Sequence, residues 1–273
     1  MKSLKEILKE RPVFGAGVFT MSTIHIAIFA QLGLDFLMFD IEHTPMAITD
    51  AKVMLRTCIA NGLHPIVRVS SHDEVEIRKA YEMGAEGVIV PHIRTKEDIQ
   101  KAVAAARFPT YPGGENRYNG TRSYDSNVPA AKYGGRGYDP VQYLDECDRS
   151  QMLIAMCEDI QFIENIDEIF SVPGFDAVIF GAFDFGMSEH RADFHKPDIR
   201  KREDLNHAFS CLTAKAAEKG IEVFEPLFRT PEVEDIAQAI RAGRRVIRFS
   251  FDTHIVQGAM AEHKANIIDR FRK

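Results

Sequence analysis

The chain has 273 residues, of which 45% are hydrophobic and 27% charged, and a formal net charge of -6. That balance is typical of a water-soluble globular protein, and without any basic block it argues against a nucleic acid or an anionic membrane as partner. The four cysteines, Cys58, Cys147, Cys157 and Cys211, show neither metal-ligand spacing nor disulfide density, so they read as reduced thiols of a cytoplasmic protein.

Met1 to Glu10 is a charged amphipathic stretch without a signal-peptide core. Its helix, Ser3 to Lys9, is expected to plug or flank one end of the fold. No apolar run is long enough to span a bilayer. The first strand is read at Phe14–Phe19, followed by a helix at Thr23–Leu32. Phe36–Ile41 is a strand, Thr49–Asn61 a helix stopped by Gly62, and Pro65–Ser70 a strand. Ser71-His-Asp-Glu74 caps a helix that runs to Met83. Gly87–His92 is the fourth strand, and Thr95-Lys-Glu-Asp98 opens a helix ending near Arg107.

Residues 107–138 break the rhythm, with six glycines, three prolines and five of the seven tyrosines. A connection this long is usually functional, and it is expected to shape substrate choice together with the Ser188–Glu203 loop. A helix near Val141–Glu146 follows. The remaining elements are strand Met152–Cys157, helix Ile160–Phe170, strand Ala177–Gly181, helix Asp204–Lys219, strand Glu222–Leu227, helix Pro231–Ala242, strand Val246–Ser250 and helix Thr253–Arg270.

The strands are continuous apolar runs, as strands covered on both faces must be. Several end in charge. Phe36-Leu-Met-Phe-Asp-Ile-Glu-His43 runs into Asp40, Glu42 and His43; Arg68 closes Pro65-Ile-Val-Arg68; Glu158 follows Leu153–Cys157; Asp184 follows Ala177–Phe180. Gly33-Leu-Asp35, Gly84-Ala-Glu86, Gly174-Phe-Asp176 and Gly220 recur between a helix and a strand. Eight strand–helix alternations predict a single (β/α)8 TIM barrel over residues 1–273, with its site at the C-terminal strand ends. An open doubly wound sheet would need a Gly-rich turn after the first strand, and Phe19-Thr-Met-Ser-Thr23 has no glycine.

Asp40 and His43 form a base pair only if the strand stops near Ile41 and the chain turns, letting the carboxylate orient the imidazole. Otherwise they are solvated loop charges, or His43 is a satisfied structural histidine. Arg68, a permanent cation in a buried strand, needs an anion: a ligand oxygen, Glu42 or Glu158. Glu158 and Asp184, on adjacent strand ends, suit a hard divalent cation, or else they cap helices. His92, Glu225, Ser250 and Asp252 read more readily as structural, and His190, Arg191 and His195 lie in the loop after the sixth strand. No strand contains a lysine, so a Schiff-base route lacks a nucleophile.

With those residues identified, the chain resembles the HpcH/HpaI aldolase family, metal-dependent class II pyruvate aldolases related to the citrate lyase β-subunit. The markers are Gly33 to His43, Pro65-Ile-Val-Arg-Val69, Gly84-Ala-Glu-Gly-Val-Ile-Val-Pro-His92, Glu158 with Glu164 to Ile169, and Val172-Pro-Gly-Phe-Asp176 through Asp184. The resemblance implies that Glu158 and Asp184 hold Mg2+, Mn2+ or Co2+. It implies that His43 is the base, held by Asp40, and that Arg68 binds the keto oxygen and stabilises an enolate. The Gly181, Ala182 and Phe183 backbone would hold the pyruvate carboxylate. The implied reaction joins or cleaves a 4-hydroxy-2-oxo acid from pyruvate, or a related 2-oxo acid, and an aldehyde. The implied assembly is a hexamer, a trimer of dimers exchanging the Thr253–Arg270 helix. Departures from the family pattern are Met156 where a Gln is common, Phe183, Tyr81-Glu82, and a loosely kept arm. Oxaloacetate decarboxylation, CoA-ester cleavage and a non-catalytic 2-oxo-acid-binding barrel are the rival readings.

Overall fold

The computed structural model describes residues 2–115, 117–196, 202–226 and 232–272. Eight parallel strands close in sequence order: β1 (Val13–Val18), β2 (Phe36–Asp40), β3 (His64–Arg68), β4 (Gly87–Val90), β5 (Met152–Cys157), β6 (Ala177–Phe180), β7 (Glu222–Pro226) and β8 (Val246–Phe251), which pairs back onto β1. This is the (β/α)8 barrel that the alternation predicts. The continuous apolar runs are explained by two-sided burial. Phe36, Met38, Ile66, Ile89, Ile154, Ile179, Phe224 and Val246 fill the interior, while Leu37, Phe39, Val67, Val88, Leu153 and Val178 face the helices.

Helix α1 (Leu4–Glu10) is capped by Ser3, whose hydroxyl and backbone are bonded reciprocally with Glu6. It seats Leu4 and Leu8 into the interior cluster and so plugs the N-terminal end of the barrel. The acid at the start of several strands has a defined task there. Asp35 accepts the Phe14 N–H at 2.9 Å and pairs with Arg11; Glu86 accepts the Leu4 N–H and contacts His64; Asp176 accepts the Leu153 N–H at 2.8 Å and pairs with Lys5 (2.6 Å) and Arg107 (2.5 Å). The glycines that precede these acids turn the chain at positive φ, 80° at Gly33 and 107° at Gly84, where a side chain is strained.

Around the barrel lie α2 (Thr23–Gln31), α3 (Ile48–Ala60), α4 (Glu74–Glu82), α5 (Lys96–Ala106), α6 (Pro140–Ser150), α7 (Ile160–Glu164), α8 (Ile166–Ile169), α9 (Ala182–Ser188), α10 (Glu203–Lys219), α11 (Val233–Arg241) and α12 (Asp252–His263). The helix expected over Ile160–Phe170 is broken at Asn165, which leaves helical geometry (φ -102°, ψ 17°) and donates its side-chain amide to the Arg94 carbonyl at 2.9 Å. Helix α9 has no counterpart in the sequence reading. The expected end of the seventh strand at Leu227, the segment Phe228 to Pro231 and part of the Ser188–Glu203 loop lie outside the described residues, as does the Glu225 side chain.

The Gly- and Tyr-rich arm packs differently from the expectation that it shapes substrate choice. Its Arg122 lies between the Tyr81 and Phe108 rings (4.8 and 4.3 Å to the centroids) and donates to Gln151 Oε1 at 2.6 Å, beside the first residue of β5. Tyr111 donates to Asp145 of α6 at 2.7 Å. These contacts are at the N-terminal strand ends. The reason is topological: α5 runs back against the strand direction, so a connection leaving it starts at the face opposite the strands' C-terminal ends. All four cysteines are unpaired, and no helix among the described residues is long and apolar enough to cross a membrane.

Candidate active site

β2 delivers Asp40 to the barrel interior fully buried. Its Oδ1 accepts the backbone N–H groups of Glu42 (2.9 Å) and His43 (3.0 Å), which bends the chain away from the strand, and Thr44 Oγ1 donates to the Asp40 carbonyl. Asp40 Oδ2 pairs with Arg68, its register partner on β3. The carboxylate therefore meets the backbone of His43 and not its ring. The expectation that Asp40 orients the imidazole by a direct bond is corrected on this point: the turn does form, but both carboxylate oxygens are committed to the turn itself and to Arg68. The His43 ring is half exposed (51%), with Nε2 3.7 Å from Glu42 Oε2.

Arg68 is 7% exposed. Its anionic partners are Asp40 and Glu42, whose Oε2 lies 3.2 Å from Nη1, and Nη1 also approaches Met156 Sδ at 3.8 Å. The Glu42 contact is an ion pair by distance but lacks hydrogen-bond alignment, so Glu42 Oε2 remains a buried acceptor without a donor. Met156 thus occupies the space beside the arginine.

Glu158 follows β5 and is 1% exposed. Its Oε1 accepts the His92 N–H at 2.7 Å, and Oε2 finds no hydrogen-bond partner among the described residues. His92 has φ 51°, a conformation that costs a non-glycine residue about 1–3 kcal/mol. Pro91 ends the β4 ladder, and this backbone turns both the N–H and the ring of His92 toward the carboxylates. Nε2 is 3.2 Å from Glu42 Oε1, and Nδ1 is 3.3 Å from Glu158 Oε1 and 3.2 Å from Asp159 Oδ2. Ligand atoms of Glu42, His92 and Glu158 lie within 4.8 Å of one another.

The electrostatics follow from this crowding. Burial pushes the Glu158 carboxyl up to about 7, with the His92 charge and N–H opposing. The hydrogen bond to Glu42 raises the His92 imidazole to about 9 against the cost of burial, with Glu158 adding to the rise. Two carboxylates and one imidazole, with two buried oxygens lacking donors, fit a hard divalent cation. Gly181 keeps that space open: a Cβ there would stand 2.7 Å from both Glu158 Cβ and Met156 Cε and 3.0 Å from Glu158 Oε2. Ala182 is buried, Phe183 is 45% exposed, and Asp184 is half-buried in the first turn of α9.

The converging set is therefore Glu42, His92 and Glu158, and Asp184 is not among them. Glu42 and Asp40 are two apart, a spacing that puts both on one face of an extended chain, and His92 ends β4 as Glu158 ends β5. Those signals were present in the sequence, which read His92 as structural; its ring lies against Glu42, Glu158 and Asp159. Asp252 is structural as expected, accepting the Phe19 N–H (2.9 Å) and bonding Thr20 and His25.

The sequence signature described as HpcH/HpaI aldolase/citrate lyase matches residues 17–259. A 4-hydroxy-2-oxovalerate aldolase of Novosphingobium aromaticivorans is 32% identical over 191 residues, covering 69% of this chain and 68% of that protein. A hydroxypyruvate/pyruvate aldolase of Rhizorhabdus wittichii is 28% identical over 177 residues, covering 65% of each. The chain thus spans about two thirds of the length of these curated relatives. The crystal structure of an HpcH/HpaI aldolase/citrate lyase family protein from Burkholderia cenocepacia superposes with a TM-score of 0.81 at 25% identity, covering 99% of both chains. From residue 17 to residue 259, and through a barrel that matches over nearly its whole length, this chain belongs to the HpcH/HpaI aldolase/citrate lyase family.

Proposed function

We propose that the chain is a divalent-metal-dependent class II aldolase, a carbon–carbon lyase that cleaves or forms a 4-hydroxy-2-oxo acid from pyruvate or a related 2-oxo acid and an aldehyde. The observation that carries the reading is the convergence of Glu42, His92 and Glu158 beside Arg68 at the C-terminal strand ends. Mg2+, Mn2+ or Co2+ held by Glu158, with Glu42 and His92 or with Asp184, would supply Lewis-acid polarisation of the 2-oxo group. Arg68, fixed by Asp40, adds permanent positive charge where the enolate oxygen develops. His43, exposed at the mouth, takes the proton from the C4 hydroxyl in cleavage, directly or through water. The Gly181–Phe183 backbone receives the 2-oxo acid's carboxylate.

The same reading extends to assembly and location. α12 and its continuation expose Ile255, Val256, Met260, Ile267 and Phe271, the last at 86%. A hexamer built as a trimer of dimers, with this C-terminal helix exchanged between subunits, covers them; sedimentation velocity of the full chain tests it. The location is cytoplasmic, consistent with the unpaired cysteines.

The test of the chemistry needs no knowledge of the aldehyde. Pyruvate methyl-proton exchange in D2O is followed by NMR on chelator-stripped protein, with and without each metal, beside His43→Ala. Metal-dependent exchange that His43→Ala abolishes is expected. Absence of exchange with every metal, in protein shown to bind the ion, overturns the pyruvate assignment.

A further inference from the structure

The Ser71-His-Asp-Glu74 stretch caps α4 through Asp73, whose carboxylate accepts the Glu76 N–H at 2.9 Å. His72 takes no part in that cap. Its loop is closed by Ser70, whose N–H and hydroxyl both donate to Glu76 Oε2, at 2.9 and 2.8 Å. The ring reaches across to the end of β4, where Nε2 lies 2.7 Å from the Pro91 carbonyl oxygen. A carbonyl only accepts, so Nε2 carries the proton and donates it. Nδ1 faces Asp98 Oδ1 at 3.6 Å, beyond hydrogen-bond reach.

The Pro91 carbonyl and the His92 N–H belong to one peptide unit, and that N–H donates to Glu158 Oε1 at 2.7 Å. A trans peptide is planar, with its C=O and N–H pointing in opposite directions. The unit is therefore gripped at both ends, by His72 from the β3–α4 loop and by Glu158 from the end of β5. A grip on the carbonyl sets the direction of the N–H and limits rotation about the His92 N–Cα bond. That rotation is φ, and its value of 51° persists in a non-glycine residue only where the surroundings hold it.

The flanking anchors stand to either side of this unit. Upstream, the β4 ladder ends at Val90, paired with Ala155, and proline has no N–H to extend it. Downstream, Ile93 packs into the outer core, the Arg94 and Thr95 N–H groups both donate to Asp98 Oδ2 (3.0 and 2.9 Å), and the Arg94 carbonyl accepts from Asn165. Between them, the turn that brings the His92 ring to 3.2 Å from Glu42 Oε1 and 3.3 Å from Glu158 Oε1 hangs on the doubly held peptide. No hydrogen bond or ion pair among the described residues joins the His72 ring to Glu42 or Glu158.

We propose that His72 is a positioning residue of the candidate active site: by donating to the Pro91 carbonyl it fixes the peptide that aims the His92 N–H and ring at Glu158 and Glu42, and so sets the spacing of the metal-binding carboxylates. This rests on the metal-dependent aldolase reading for the ion at Glu158, and deepens it by naming a residue that acts on the site through the backbone.

The experiment compares His72→Phe, which keeps a ring but loses the donor, with His72→Gln, whose amide nitrogen replaces Nε2–H. Calorimetric titration of the full-length protein with Mn2+ is expected to show affinity reduced about tenfold or more in His72→Phe and kept near the wild-type value in His72→Gln. Hydrogen exchange of chelator-stripped protein, read by mass spectrometry, supplies a readout independent of any ion. The His92 amide is expected to be protected in the wild type and in His72→Gln, and to exchange like an open-loop amide in His72→Phe. A fall in the urea midpoint of His72→Phe with Mn2+ affinity unchanged marks a merely structural residue and overturns the proposal. Equal losses of affinity in both variants assign the effect to ring packing and overturn it too. A His92 amide that exchanges freely in the wild type overturns it without any variant. Pyruvate methyl-proton exchange in the wild type is read separately. Mn2+ binding without that exchange sinks the aldolase reading alone, and wild-type exchange with undiminished Mn2+ affinity in His72→Phe sinks this inference alone.

Discussion

Asp40 is the residue whose role differs most between the sequence reading and the structure, and two substitutions separate the accounts. Its carboxylate accepts two backbone N–H bonds and neutralises Arg68 in a fully buried position. Asp40→Asn keeps an oxygen for Glu42 and His43 but removes the charge facing Arg68, which is left with Glu42 at 3.2 Å. Asp40→Ala removes the turn bonds as well. A hydrogen bond to a charged acceptor is worth about 1.5–3 kcal/mol, and breaking one side of a buried pair costs about 3–5 kcal/mol. These terms share one group and do not add. The expected losses in urea unfolding are about 2–3 kcal/mol for Asp40→Asn and about 4–5 kcal/mol for Asp40→Ala. Because the carboxylate touches the His43 backbone and not its ring, pyruvate exchange should slow in Asp40→Asn while the midpoint of the acid limb of its pH–rate profile stays in place. Wild-type stability in Asp40→Asn, or an acid limb displaced by a full pH unit or more, would refute this account and restore a direct Asp40–His43 couple.

Three further outcomes follow from the geometry. Gly181→Ala places a methyl 2.7 Å from Glu158 Cβ and should displace that side chain; calorimetry should show Mn2+ affinity reduced tenfold or more, with the barrel still folded by circular dichroism. Leu8→Ala opens the plug at the far end of the barrel and should cost about 2–5 kcal/mol in urea unfolding, while metal affinity is unchanged. Burial alone would raise the Asp252 carboxyl, but its bonds to Thr20, the Phe19 N–H and His25 hold it below the ordinary value of 3.8. A depressed acid contributes stability above its unfolded pKa and loses it as pH falls through the folded one. Unfolding midpoints of the wild type should therefore drop more steeply below about pH 4 than those of Asp252→Asn; parallel curves would discount a stabilising role for the Asp252 charge.

The position of α9 shows why part of the fold was hidden. Residues 182–188 contain two Phe, a Gly and a Ser, with no strong helix signal, and their helix is stabilised where Phe185 is buried against Phe180, 5.2 Å between ring centroids. Such tertiary packing overrides local preference. The break at Asn165 was hidden likewise, because the carbonyl that its side chain reaches belongs to Arg94, distant in sequence. The arm was misread for a different reason: its composition suggested function, but the direction of α5 places it on the opposite face from the strand ends.

The sequence by itself determined the barrel, because eight apolar runs separated by amphipathic helices admit few other closures, and the recurring glycine–acid turns marked the strand starts. It also determined which charges reach the C-terminal ends, since Asp40, Glu42, Arg68, His92 and Glu158 each end or follow a strand. Tertiary structure alone decided which of those charges meet. Asp40 faces Arg68 because β2 and β3 pair in that register, and His92 joins Glu42 and Glu158 because its φ of 51° swings it between them. The burial of Arg248 was equally a matter of the closed barrel: periodicity sends it inward, but only the neighbours brought by the other strands show that it pairs with no acid among the described residues.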